Sequence, residues 1–189
     1  MKRFIKFLFC KLLFQVRYYN IKNLQKYDRF LICPNHSSVF DPFFIYPVSK
    51  NLSIMAKSEI FKNRLISRIL KHYNVFPVDR KKVDIKSLLH SLNVFKDNKP
   101  CELLIFAEGG IIKEEKDIGK KVHNGVTFIA AKLNVPIIPV FITRRPHFFS
   151  KVKVIFGKPY FLDNNLLKNK ANLKEESNKL IKKIYDLNQ

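Results

Sequence analysis

The stretch F-L-I-C-P-N-H-S-S-V-F-D-P, residues 30–42, changes from apolar to polar side chains in a way that is typical of a strand followed by a turn and a helix. The run from Phe30 to Pro34 is short, apolar and ended by proline, so we predict a buried strand. Residues 35–38 are polar and form the predicted turn. Asp41 is expected to be the N-cap of a helix that has Pro42 at its first position.

The same alternation of strands and helices continues to the end of the chain. Strands that alternate with helices predict an α/β fold, a single domain with a mixed, mostly parallel sheet flanked by helices. A chain of 189 residues is long enough for one domain of this kind and short for two. The predicted strands are residues 30–34, 53–56, 75–78, 103–106, 136–142 and 152–156, and the predicted helices are residues 42–48, 58–72, 83–96, 125–133 and 173–187.

The chain is strongly basic, with 36 Lys and Arg against 15 Asp and Glu and a net charge of +21. Nucleic acid, an acidic membrane surface and an acidic carrier protein are the partners that fit this charge, although a lysine-rich composition alone could also explain it. Cys10, Cys33 and Cys101 are scattered and form no C-x-x-C pair, which argues for reduced thiols and against a disulfide framework or a zinc site.

The N-terminal residues 4–14 are apolar but include Lys6 and Lys11. A membrane-spanning helix needs about 20 predominantly apolar residues, so this run is too short. A signal peptide is one alternative, but no small-residue cleavage site follows. On a helical wheel the basic and apolar side chains occupy opposite arcs. We therefore predict an amphipathic membrane-associating helix over residues 1–20 and the α/β domain over residues 21–189, the alternative being a helix that simply packs on the domain.

His36 and Asp41 are the side chains in the first turn that could perform proton transfer. Imidazole accepts a proton near neutral pH, and a neighbouring carboxylate can fix its tautomer and stabilise the imidazolium. Functional groups in α/β folds lie after the carboxyl ends of strands, and His36, Asp79 and Glu108 all follow predicted strands. Taken alone, the His36 and Asp41 pair is better explained as a loop histidine beside a helix cap.

Four sequence blocks in order strengthen the catalytic interpretation. Together they resemble the 1-acylglycerol-3-phosphate (lysophosphatidate) acyltransferase family, within the wider glycerolipid acyltransferase superfamily. The resemblance extends from about residue 30 to residue 160, most of the chain. The matching segments are Asn35, His36 and Asp41 for N-H-x-x-x-x-D, Val75–Arg80 for an apolar run ending in Asp-Arg, Phe106–Gly109 for F-P-E-G, Val135–Val140 for V-P-I-I-P-V, and the Gly157–Pro159 triplet.

The resemblance implies a direct acyl transfer in which His36 is the general base and Asp41 orients it. The acceptor hydroxyl would attack an acyl thioester without an acyl-enzyme, converting 1-acylglycerol-3-phosphate into phosphatidate. The donor would be acyl-CoA or acyl-acyl carrier protein, and no cofactor or metal is expected. Backbone amides around residues 108–110 would stabilise the oxyanion.

The resemblance also implies a set of substrate-binding residues. Arg80 is the phosphate ligand that the resemblance implies, whereas the residues alone favour a surface arginine paired with Asp79. Ile111 stands where the family has an arginine that helps to bind phosphate. Either a nearby lysine supplies that charge, or the acceptor head group is not a simple phosphate monoester. The expected substrate-binding residues are Asn35, Arg80, Glu108, Gly109, Gly110 and Lys57, and the candidate replacements for the missing arginine are Lys113, Lys120 and Lys121.

These expectations place the protein at the cytoplasmic face of the cell membrane, as a peripheral or monotopic enzyme with a lysophospholipid acceptor and an anionic membrane surface as partners. No nucleic acid partner is expected. Two alternatives are an acyltransferase for another lyso-lipid and a non-enzymatic basic module that binds RNA or acidic membranes. The second alternative lacks the aromatic, glycine-loop and zinc motifs of common RNA-binding domains.

Overall fold

The fold is built on a seven-stranded sheet, as shown by a computed structural model that describes residues 2–78, 92–96 and 99–189. The strands are β1 Gln15–Tyr19, β2 Arg29–Pro34, β3 Leu52–Lys57, β4 Val75–Val78, β5 Cys101–Leu104, β6 Ile137–Ile142 and β7 Lys151–Phe156. Their order across the sheet is β1-β7-β6-β2-β5-β3-β4.

The sheet is mostly parallel, as predicted. Strand β2 lies at its centre and pairs in parallel with both β5 and β6. The only antiparallel pair among the described strands joins β6 to β7, and β1 then pairs in parallel with β7. Five strands point the same way: β2, β3, β4, β5 and β6. The loops that follow these strands therefore meet at one edge of the sheet, its carboxyl edge.

The α-helices whose bounds the structure describes are α1 Lys2–Phe7, α2 Asp41–Ile45, α3 Arg64–His72, α4 Gly125–Leu133 and α5 Lys170–Asp186. They cover both faces of the sheet, and each face has its own apolar cluster. Helices α4 and α5 cover one face, where Leu31 and Leu103 are fully buried. The opposite face buries Ile32 and Leu104 beneath the N-terminal segment, α2 and α3. All three cysteines are buried, and none is in a disulfide.

The N-terminal segment differs from the prediction of one helix through residue 20. The α1 helix continues as a π-helical segment over Leu8–Leu13, and the chain then forms β1. The β1 backbone pairs with β7 along one side, and the Tyr18 hydroxyl donates to the Phe44 carbonyl at 2.9 Å, so tertiary contacts override the helical pattern. Within the described residues, no helix is long and apolar enough to cross a membrane.

Most other predicted elements are confirmed, with shifted ends. The helix predicted over 58–72 is a 3₁₀ segment, Ser58–Lys62, followed by α3, and the strand predicted over 103–106 is β5. The helix predicted to run to residue 48 becomes 3₁₀ after Ile45. Most of the helix predicted over 83–96 lies outside the described residues.

Candidate active site

The turn after β2 is attached to the neighbouring strand β6 by Asn35. Its side-chain amide donates to the Ile142 carbonyl at 3.0 Å, and the Ile142 N–H donates back to the Asn35 amide oxygen at 2.7 Å. The residue is fully buried. Asn35 therefore positions the turn through these two bonds, and its contact with substrate stays a prediction.

Asp41 is the first residue of α2, whereas the prediction made it the N-cap; Phe40 occupies that position. The Asp41 carboxylate points back over the preceding turn, so it cannot cap the amides of the helix. Oδ2 accepts the backbone N–H groups of Ser37 at 2.8 Å and Ser38 at 2.9 Å, and it lies 3.0 Å from Nδ1 of His36. The five-residue spacing thus forms a closed turn around one carboxylate oxygen.

The His36 ring is held between this carboxylate and an aromatic side chain. It stacks on Phe106 with ring centroids 3.8 Å apart and an interplanar angle of 21°. An ionised carboxylate can only accept hydrogen bonds, so the tautomer that bonds to Asp41 has its proton on Nδ1. The lone pair of Nε2 is then available to accept a proton. Asp41 is fully buried, while 12% of the His36 side chain is exposed.

Glu108 connects the loop after β5 to the histidine loop. Oε2 accepts the backbone N–H of His36 at 2.8 Å, and Oε1 accepts the Tyr185 hydroxyl at 2.8 Å. Burial raises the pKa of Glu108, and these two hydrogen bonds, together with the nearby His36 and Arg144, oppose that rise. Both carboxylate oxygens accept hydrogen bonds within the protein, so Glu108 joins α5 to the histidine loop, and its contact with substrate stays a prediction.

The two glycines after Glu108 have different surroundings. Gly109 has a φ of +66°, and a methyl group added there would overlap the imidazole of His123. Its N–H donates to the Phe106 carbonyl at 3.1 Å. By contrast, the N–H of Gly110 meets no acceptor among the residues that the structure describes. The turn thus needs glycine at 109 and leaves one backbone donor available at 110.

The remaining predicted substrate-binding residues are less closely connected to His36. Lys57 ends β3 at the same edge of the sheet and forms an ion pair of 3.0 Å with Glu59. Lys113, Lys120 and Lys121 are all exposed, and Lys120 pairs with Asp117 at 2.9 Å. Arg80 and Asp79 lie outside the described residues.

Arg144 is a basic residue at the site that the sequence interpretation missed. It follows β6 and is largely buried, with Nη1 3.1 Å from Glu115 Oε1 and Nη2 3.5 Å from the Ile112 carbonyl. The Ile112 N–H donates in turn to the His36 carbonyl at 2.7 Å. The rule that selected His36 and Glu108, a polar residue just after a parallel strand, would also have selected Arg144.

A buried carboxylate that fixes an imidazole at the carboxyl edge of a parallel sheet has the geometry that proton transfer from a hydroxyl requires. The acyltransferase family model matches residues 15–143, and the chain belongs to the acyltransferase family.

Proteins with assigned activities are similar to this chain. The 1-acyl-sn-glycerol-3-phosphate acyltransferase of Bacillus subtilis is 27% identical over 151 residues, which cover 76% of this chain and 73% of that protein. The enzyme of the same name from Streptococcus pneumoniae is 25% identical over 126 residues, 65% of this chain. The matched segment spans only 45% of the length of that relative.

The fold also matches a solved structure. The crystal structure of the 1-acyl-sn-glycerophosphate acyltransferase from Thermotoga maritima superimposes with a TM-score of 0.67 at 21% identity. The match covers 99% of this chain and 78% of the other. At this identity the likeness establishes the shared fold.

Proposed function

We propose that this protein transfers an acyl group from an acyl thioester to the free hydroxyl of 1-acylglycerol-3-phosphate, giving phosphatidate. The observation that carries the proposal is the 3.0 Å contact between His36 Nδ1 and Asp41 Oδ2, in a chain whose relatives from Bacillus subtilis and Streptococcus pneumoniae are acyltransferases for this acceptor. Family membership also favours an enzyme over a non-enzymatic basic module.

In the proposed reaction, His36 accepts and then returns one proton. Nε2 removes the proton of the acceptor hydroxyl while the hydroxyl oxygen forms a bond to the thioester carbonyl carbon. The carbon–sulfur bond then breaks, and His36 protonates the leaving thiolate, so that the products are an ester and a free thiol. Asp41 holds the Nδ1 proton and stabilises the imidazolium between these two steps.

The oxyanion that forms on the thioester carbonyl needs hydrogen-bond donors close to His36. The loop at residues 109–112 is adjacent, because the Ile112 N–H donates to the His36 carbonyl. The N–H of Gly110 has no acceptor among the described residues, so it is the donor we assign to the oxyanion.

The acceptor phosphate needs at least one guanidinium or ammonium group. Arg144 supports this part of the proposal, because it lies next to the loop in which Ile111 replaces the expected arginine. Its partner Glu115 is 89% exposed, so water already competes for the carboxylate, and a phosphate could displace it. We assign the phosphate to Arg144 together with Arg80.

A second acceptor class is favoured by Ile111 itself, which is partly exposed beside the site. An apolar residue at the phosphate-binding position would suit a lyso-lipid whose head group is not a phosphate monoester. The donor in either case is acyl-CoA or acyl-acyl carrier protein, both of which are anionic and complement the net charge of +21.

We place the enzyme at the cytoplasmic face of the membrane, held there by its N-terminal segment. Phe4 and Phe7 of α1 are exposed, as expected for side chains that enter a lipid surface. Phe9, from the following turn, stacks on Phe43 of α2 with ring centroids 4.5 Å apart, so this segment lies directly beside the helix that begins with Asp41.

A thiol-release assay tests the proposed function. The full-length protein would be mixed with acyl-CoA or acyl-acyl carrier protein and vesicles containing lysophosphatidate, lysophosphatidylglycerol or lysophosphatidylcholine. Fastest release with lysophosphatidate, accompanied by phosphatidate, is the expected result. Faster release with another acceptor would establish the alternative head group, and thioester stability with every acceptor would contradict acyl transfer.

A further inference from the structure

The α3 helix packs beside β4, the last strand on one side of the sheet. Most of the apolar surface of this helix is exposed. No residue of Arg64–His72 is buried, and Leu65, Ile66 and Ile69 are 66%, 42% and 49% exposed. Leu70 is the apolar residue of this helix that packs against the core. Three large aliphatic side chains exposed close together on one short helix indicate a partner for that surface.

Basic side chains run along the helix beside these aliphatic residues. Arg64, Arg68 and Lys71 are spaced so that they lie on one side of the helix. With Phe61 and Ser67 they line an open depression of about 340 Å³. The helix contains no acidic residue, so its charged side chains are all cationic.

The position of α3 relates this surface to the rest of the molecule. The helix follows β3 at the carboxyl edge of the sheet, the edge that holds His36, and lies on the same face as α2 and the N-terminal segment. Exposed apolar residues on that face also include Phe7 and Phe43, whereas α4 and α5 cover the opposite face.

From these observations we propose that α3 binds the surface of an anionic phospholipid bilayer, as a contact separate from the N-terminal segment. Leu65, Ile66 and Ile69 enter the boundary of the acyl chains, and the adjacent cations bind lipid phosphates. A folded acidic protein would be complementary to the cations but would offer less to three neighbouring aliphatic side chains. The proposal does not depend on which lyso-lipid is the acceptor.

The chain contains no tryptophan, so a single introduced indole reports on its own environment. Leu65→Trp in the full-length protein should show a blue shift and quenching by brominated acyl chains on vesicles of equimolar phosphatidylcholine and phosphatidylglycerol. The matched control is Phe161→Trp, because Phe161 is also exposed but follows Tyr160, which pairs with the first residue of β6 at the opposite edge. A shift at position 161 and none at 65 would overturn the proposal.

Binding measurements complete the test. Leu65→Ser with Ile69→Ser should weaken binding to the anionic vesicles about tenfold or more, by loss of buried apolar area. Arg64→Gln with Arg68→Gln should weaken binding to the anionic vesicles about tenfold and leave binding to pure phosphatidylcholine unchanged. Lys170→Gln with Lys182→Gln, on α5, is the charge control and should bind like the wild type.

Acyl transfer separates this proposal from the proposed function. The α3 variants should keep wild-type thiol release with a short-chain acceptor that is monomeric in solution, whether or not lysophosphatidate proves to be the natural acceptor. Unchanged vesicle binding by both double variants would overturn the proposal. Unchanged vesicle binding combined with slower transfer from acyl-acyl carrier protein alone would instead assign α3 to that protein.

Discussion

The backbone N–H of His36 donates a 2.8 Å hydrogen bond to Oε2 of Glu108, a residue 72 positions further along the chain. This bond joins the loops that follow two adjacent parallel strands, β2 and β5. The other oxygen of Glu108 accepts the Tyr185 hydroxyl, so the last helix also supports the histidine loop. Glu108 therefore determines where the His36 backbone sits, and Asp41 determines how its ring is oriented.

Replacing Asp41 by Asn should lower kcat about 10²–10⁴-fold with a small change in KM. The amide oxygen can still accept the N–H groups of Ser37 and Ser38, but the charge that stabilises the imidazolium is lost. Steady-state kinetics of acyl transfer would measure the effect, with thermal unfolding to confirm that the variant is folded. A folded Asp41→Asn enzyme with wild-type kcat would exclude the proposed role of Asp41.

Tyr185→Phe should lower the free energy of unfolding by about 1–3 kcal/mol, because Glu108 loses a buried hydrogen-bond donor. The hydroxyl lowers the pKa of Glu108, so its removal raises that pKa further. The lost hydrogen bond stabilises the ionised form of Glu108 more than the protonated form. The loss of stability should therefore grow as the pH rises through the pKa of Glu108 and be smallest well below it.

Urea unfolding over a range of pH would measure this dependence. Tyr160→Phe is a matched control, since its buried hydroxyl has no hydrogen-bond partner among the described residues. That control should change stability little at any pH. Equal effects of the two substitutions would show that the Tyr185 to Glu108 bond contributes nothing specific.

Gly109→Ala should destabilise the protein by about 2 kcal/mol or more and reduce activity, because position 109 has a positive φ and the new methyl would overlap His123. Gly110→Ala has open space around it and should cost less than about 1 kcal/mol. Thermal unfolding of the two variants tests the contrast. A Gly109→Ala protein as stable as Gly110→Ala would contradict the described turn.

Arg144→Gln should raise the KM for lysophosphatidate about tenfold or more, as expected when a charged hydrogen bond to phosphate is lost. The KM for the acyl donor and the rate with monoacylglycerol should remain close to wild type. Arg17→Gln, an exposed arginine on β1, is the control for loss of general charge. Equal changes with charged and uncharged acceptors would assign Arg144 to support of the 112–115 loop alone.

Sequence patterns predicted the helices and strands whose formation depends on neighbouring residues. The β2 strand and the turn after it could be recognised because an apolar run ends at Pro34 and a helix start follows at Asp41. The α4 helix was predicted with its observed bounds, Gly125–Leu133. The mostly parallel sheet followed from the alternation of strands and helices.

The features that the sequence patterns did not predict depend on contacts between residues far apart in the chain. The β1 strand was missed because its pairing with β7 joins residues more than 130 positions apart, while the same segment fits a helical wheel. The Tyr185 hydroxyl and the Arg144 guanidinium reach the site through the fold rather than through spacing along the chain. Asp41 was expected to lie against His36 and also to cap α2; the 3.0 Å contact confirms the first part, whereas the turn geometry makes Phe40 the N-cap.

The proton transfer assigned to His36 is tested most directly by thiol release from His36→Ala on vesicles that contain lysophosphatidate. His147→Ala, a histidine in an exposed loop, is the matched control. We expect His36→Ala to remain folded and to keep vesicle binding but to lose at least about 10²-fold in turnover, while His147→Ala is unaffected. Near-normal turnover by a folded His36→Ala protein would contradict the assigned proton transfer.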